Sequence, residues 1–292
     1  MVAKIVKPSF PGHAIAIPDL WSAPFVFASP HSGRHYPQRF LSMSALDLRD
    51  LRRSEDAYVD LLLPKASDTG VPVLTARFPR AFVDVNRSPR EIDPTVFTSP
   101  PYDDLDTQSP RVAAGFGLIP SRAATGADIY TRLLPAQEGR SRMDRCYTPY
   151  HNALSELLGL CRHRFGHAIL VDWHSMPSMT LGREHLPDVI LGDLHGQACT
   201  ADLRDVWEQG FQSFGFSVGR NLPYAGGYVT RRYGRPAEGI EAIQIEINRR
   251  LYLDEERTTR NASRHRALQA RLAAVISTVI GAYETPLQWA AE

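Results

Sequence analysis

The chain has 292 residues, 43% apolar and 22% charged, enough for one large α/β domain with a buried core. Its 33 basic and 32 acidic residues leave a net charge of +1, which argues against a broad nucleic-acid-binding face or a polybasic membrane anchor. Three cysteines, Cys146, Cys161 and Cys199, form no CxxC pair; their odd number speaks against a disulfide framework and for a reducing cytoplasm.

In chain order, residues 1–23 read as an irregular or hairpin-like lead-in, with neither a signal-peptide pattern nor the run of about 20 apolar residues that a membrane span needs. Pro24 to Ser29 is an apolar run stopped by Pro30-His31-Ser32-Gly33, a buried strand ending in a turn. The spacing of Leu51, Ala57, Val59 and Leu62 predicts a helix from Asp47 to Leu63. Strands are expected at Val71 to Ala76 and at Ala81 to Val85, the second running into Asn86-Arg87. Ser88 to about Gly126 lacks periodicity, and a connection that long points to a lid or functional loop.

A helix follows from Arg142 to Arg164, with Leu154, Leu157, Leu158 and Cys161 turned inward. Ala168 to His174 and Asp188 to Gly192 read as strands, Ala201 to Phe214 as a helix, and Ala242 to Ile247 as the last clear strand. A long amphipathic helix covers Glu256 to Tyr283. Strands alternating with helices predict a single α/β domain over 1–292, its central sheet mostly parallel or mixed and flanked by helices.

In such sheets ligands gather beyond the carboxyl ends of the strands. His31, Asn86 with Arg87, Asp172 with His174, and Glu246 all stand at or near strand ends. Two histidines and one carboxylate are a common catalytic zinc set. His31 and His174 are the expected ligands, and Glu55 or Asp56 the acid. Asp172 is expected behind a ligating imidazole, with Ser32 in the same supporting role. His35, His151, His185 and His195 are weaker metal candidates.

Glu246 interrupts an apolar strand, and a buried carboxylate is costly unless it has a partner or a task. It fits a general base that takes a proton from activated water and returns it to the leaving amine; the structural alternative is an ion pair with Arg249 or Arg250. Arg87 with Asn86 suits carboxylate recognition, and Arg80 can act as a second clamp. Asn221 to Tyr228, with Tyr224 and Gly227, reads as a substrate-covering loop. No GxSxG elbow, GxGxxG or P-loop is present, so a serine hydrolase and nucleotide binding are unsupported.

The ordered set SPHSGRHYP, SEDAYVD, FPRAFVDVNRSPRE, YTPYHNAL, VDWHSMP, NLPYAGGYV and IQIEINRRLY resembles the N-formylglutamate amidohydrolase family over about residues 25–255. The resemblance implies a zinc-peptidase-like α/β fold, one bound Zn²⁺, and hydrolysis of N-formyl-L-glutamate to formate and L-glutamate in histidine degradation. It also implies His31, Asp56 and His174 as metal ligands, Glu246 as the catalytic glutamate, and Asn86 with Arg87 as contacts to the substrate carboxylate. SEDAYVD departs from the more Asp-, Trp- and His-rich version of the family's deformylases, which leaves Glu55 open beside Asp56. A related zinc carboxypeptidase or deacylase acting on another small amide, and a non-catalytic binder of small molecules, are the competing expectations. The partner expected is a small anionic N-acyl amino acid, with no nucleic acid or membrane.

Overall fold

A computed structural model describes residues 12–179 and 185–283. Seven strands form its main sheet: β1 (His13–Ala16), β2 (Phe25–Ser29), β3 (Val73–Ala76), β4 (Ala168–Met176), β5 (Val189–Gly192), β6 (Val218–Arg220) and β7 (Ile240–Asn248). Their order across the sheet is β1-β3-β2-β4-β7-β5-β6. The sheet is mixed: β1 runs antiparallel to β3 and β5 antiparallel to β7, while the remaining neighbours are parallel. Part of the lead-in is therefore an edge strand of the sheet.

The pleat sends alternate side chains to opposite faces. From β2, Val26 and Ala28 join one core layer, which holds Leu154, Leu157, Leu158 and Cys161 of the Thr148–Phe165 helix. Phe25 and Phe27 join the other layer, with Trp173 of β4, Trp207 and Phe211 of the Ala201–Ser213 helix, and Leu272 and Ile276 of the Ala262–Gly281 helix. Burying each large apolar side chain contributes about 1.5–3 kcal/mol, so a β2 buried on both faces must be almost wholly apolar, as FVFAS is. The three cysteines are free and buried. None of the described helices is long and apolar enough to cross a membrane.

Three expectations change. The helix over Asp47 to Leu63 is two short helices, Leu48–Arg52 and Val59–Leu62, separated by a turn that carries Glu55 and Asp56. Tyr58 takes the left-handed conformation there (φ 65°), with the guanidiniums of Arg34 and Arg52 over its ring; an unbroken helix has no place for that residue. Ala81 to Val85 is not a strand. Its apolar residues are buried because the segment passes through the core in turns: Phe82 and Val83 donate backbone hydrogen bonds to Pro79, and Asp84 to Leu118. The C-terminal helix starts only at Ala262, capped by Asn261, because residues from Leu253 to Arg260 form a small hairpin.

The helix predicted from Arg142 is continuous with a preceding helix, Ala136–Arg142, through one π-helical turn at Met143–Tyr147. Such turns accommodate an extra residue and re-aim a side chain. Here Tyr147 Oη donates to the carbonyl of Arg87 at 3.0 Å, which ties the helix to the Asn86-Arg87 turn.

Candidate active site

His31 follows β2, and His174 lies near the end of β4, the strand beside it. Asp56 reaches them from the turn before the Val59–Leu62 helix, where its own backbone N–H donates to the carbonyl of His31 at 3.0 Å. Asp56 Oδ2 lies 2.9 Å from His174 Nδ1 and 3.3 Å from His31 Nδ1. All three residues are buried, and their ligand atoms lie within 4.8 Å of one another.

The outer nitrogen of each imidazole rests on its own carboxylate. His31 Nε2 is 2.7 Å from Asp84 Oδ1, and His174 Nε2 is 2.9 Å from Asp172 Oδ2. Both histidines thereby turn Nδ1 toward Asp56, the orientation that carboxylate partners impose on metal-ligating imidazoles. This donor set fits a divalent cation: two imidazole nitrogens and one carboxylate oxygen converge, and the atoms that would compete for them are already engaged.

Glu55 points elsewhere, accepting from Tyr36 Oη at 2.7 Å and from Arg52. Asp56 Oδ1 is held by Arg249 Nη2 at 3.1 Å, and the same guanidinium donates to the carbonyl of Glu55 at 2.7 Å and through Nε to Ser175 Oγ at 3.0 Å. Burial alone would raise the Asp56 carboxyl, but the hydrogen bonds and charges of His174 and His31 outweigh it and hold it well below the usual range. Asp84 follows the same pattern, with burial overcome by Arg80, Arg87 and His31.

Glu246 is the register partner of His174 across the β4–β7 pair. Gln244 Nε2 donates to Glu246 Oε1 at 2.7 Å, while Gln244 Oε1 accepts the backbone N–H of Gly227 at 2.8 Å. The structural alternative for Glu246 is not what forms: Arg249 binds Asp56, and Arg250 pairs with Asp188. Burial pushes the Glu246 carboxyl up to about 7, with Asp56 adding to the rise and His174, Arg80 and Arg249 opposing it.

These groups open on a cavity of about 700 Å³ lined also by Asn86, Arg87, Arg80, Tyr224 and Gly227. Arg111 and Ala124 of the long Ser88 to Gly126 connection lie in its wall. Asn86 Oδ1 accepts from Val229 N at 2.7 Å, and its Nδ2 lies 3.4 Å from His174 Nε2. Arg80 Nε donates to Asp84 at 2.9 Å; Arg87 donates to the carbonyls of Phe116 and Asn86, both at 2.8 Å.

Besides Glu55 and Asp172, two further expected site residues lie off this wall. Asn221 binds Asp193 Oδ1 at 2.7 Å and accepts the backbone N–H groups of Asp193 and His195, so it fixes its loop. Ser32 shares a hydrogen bond with Ser29 and accepts the backbone N–H of Asp60 at 3.2 Å. Of the weaker metal candidates, His195 lines the cavity and His185 is exposed. The backbone N–H of His35 donates to the carbonyl of Arg77, and His151 sits among Tyr147, Tyr150, Tyr228 and Tyr233.

Sequence reading missed Asp84, Arg249 and Gln244. Asp84 lies in a segment whose apolar pattern reads as a strand, and in the sequence Arg249 reads as an ion-pair partner of Glu246. Gln244 carried a usable signal, since it shares a strand face with Glu246 two residues away.

A mixed α/β sheet with a His–Asp–His cluster and a buried glutamate on one cavity defines the class: an α/β protein built like a cation-assisted hydrolase. The family model for N-formylglutamate amidohydrolase matches residues 23–253, and the chain belongs to that family. It is 30% identical over 240 residues to an N-formylglutamate deformylase of Pseudomonas putida, covering 80% of this chain and 82% of the relative. The deformylase of Pseudomonas aeruginosa is also 30% identical, covering 83% of that relative. The crystal structure of N-formylglutamate amidohydrolase from Ralstonia eutropha superposes with a TM-score of 0.87 at 34% identity, covering 93% of this chain and 98% of that one.

Proposed function

We propose that the protein hydrolyses N-formyl-L-glutamate to formate and L-glutamate, in histidine degradation in the cytoplasm, with Zn²⁺ held by His31, Asp56 and His174. The observation that carries this reading is the convergence of those three residues beside Glu246 on one cavity. The relatives' names support the substrate. Bound by His31, Asp56 and His174, a zinc ion would supply Lewis-acid charge for carbonyl polarisation and water acidification.

The protein's own groups account for the rest. Glu246, raised to about 7 by burial, is suited to accept a proton from the attacking water near neutral pH and deliver it to the departing amine nitrogen as the C–N bond breaks. Gln244 fixes the orientation of that carboxylate. Asp84 and Asp172 hold the imidazoles, and Arg249 holds Asp56. Asn86 and Arg87 are placed to meet the substrate's α-carboxylate, with Arg80 near enough to Glu246 and Asp56 to stabilise negative charge at the reacting carbonyl. Tyr224 and Gly227 complete the wall beside them.

The test is formate release from N-formyl-L-glutamate by purified protein, together with elemental analysis of its metal. Absence of formate at full metal occupancy would refute the reading.

A further inference from the structure

Six arginines line the cavity: Arg53, Arg80, Arg87, Arg111, Arg231 and Arg249. Three already have a carboxylate partner in the protein. Arg80 pairs with Asp84, Arg87 with Asp84 and two backbone carbonyls, and Arg249 with Asp56 and Ser175. Among the described residues, the guanidiniums of Arg53, Arg111 and Arg231 have no carboxylate partner.

Two of these three flank the Asn86-Arg87 turn. Arg111 belongs to the short Pro110–Ala113 helix of the Ser88 to Gly126 connection, shortly before Phe116, whose carbonyl takes Arg87 Nε. Burial pushes the Arg87 guanidinium down, Asp84 opposes this, and the charges of Arg80 and Arg111 add to the downward push. Arg231 sits on the Tyr228–Tyr233 helix, its backbone N–H on the carbonyl of Gly227. A Cβ on Gly227 would stand 2.3 Å from Asn86 Nδ2, so this loop lies directly against the turn. Arg53, by contrast, lies on the segment leading to Asp56, beside the cation-binding cluster.

Arg111 and Arg231 both line the cavity without a carboxylate partner among the described residues, and a ligand carboxylate placed there gains charge-assisted, bidentate hydrogen bonds from a guanidinium. We propose that Arg111 and Arg231 receive the second, side-chain carboxylate of the substrate, so that the cavity selects N-acyl amino acids with two carboxylates over those with one. This rests on the hydrolytic reading above and deepens it, adding a specificity site separate from Arg87.

The experiment compares N-formyl-L-glutamate with N-formyl-L-glutamine, an equally long substrate whose side chain is neutral. The double variant Arg111→Met, Arg231→Met should lose roughly 100-fold in the ratio of kcat/KM values for the two, through KM for the glutamate substrate. The lysine pair Arg111→Lys, Arg231→Lys should recover part of it. A ratio within about threefold of the parent, or equal losses on both substrates, would overturn the proposal. If the parent protein releases formate from neither, the hydrolytic reading fails. Calorimetric binding of glutarate against butyrate then decides the specificity site: a glutarate preference abolished in the methionine pair supports it, and unchanged affinities overturn it.

Discussion

His174 and Glu246 face each other across neighbouring parallel strands, so the sheet's register brings an imidazole of the His–Asp–His cluster beside a carboxylate raised to about 7. Loops can shift independently; paired strands cannot slip without turning every side chain to the other face. The spacing between the His–Asp–His cluster and Glu246 is therefore built into the β4–β7 pair.

Glu246→Gln keeps the side chain's size and its place beside Gln244 but removes the proton acceptor. We expect kcat for formate release to fall about 10²–10⁴-fold, with bound metal unchanged. Parent-like turnover in a metal-replete variant would exclude Glu246 as the base.

Cation binding should depend on the inner residues and, more weakly, on their carboxylate partners. His31→Ala or His174→Ala should lose stoichiometric metal, whereas Asp84→Asn, which keeps an acceptor for His31 Nε2 without the charge, should weaken affinity about 10–100-fold. Competition with a chromogenic chelator measures both. Stripping the parent with a chelator should abolish formate release, and added Zn²⁺ should restore it.

Gly227 has no room for a side chain: a Cβ would overlap both terminal atoms of Asn86, at 2.3 and 2.4 Å. Asn86 is held by Val229 N and lies beside His174. Gly227→Ala is expected to cost about 1–3 kcal/mol of stability and to lower activity by displacing Asn86. Denaturant unfolding tests the first effect; an unshifted midpoint would contradict the packing.

His151 predicts how stability changes with pH. Burial pushes its imidazole from 6.5 down to about 3, the Arg232 charge adds to this, and the hydrogen bond to the Val85 carbonyl opposes it. Its contribution is complete above about 6.5, where folded and unfolded chains both hold it neutral. As pH falls toward 3, only the unfolded chain takes up the proton, and stability drops by up to about 1.4 kcal/mol per pH unit. His151→Gln should flatten the dependence of the urea midpoint between about pH 6.5 and 5. Identical slopes in the two proteins would refute this origin.

Much of this protein is determined by local sequence. Apolar runs such as FVFAS and AILVDWHSM specify strands buried on both faces, because only such strands need apolar side chains in succession. Each histidine of the cluster is marked by a strand running into it, and Glu246 by its isolation in an apolar run. Pattern alone could not reveal that Asp56 rather than Glu55 meets the histidines, since adjacent acids in a turn diverge by geometry that a left-handed Tyr58 and the guanidinium of Arg249 impose. Nor could it reveal the Asp84–His31 contact, made across 53 residues of chain, or which arginines remain unpaired at the cavity. Those relationships join segments distant in sequence, and only the packing of the two core layers around the mixed sheet brings them together.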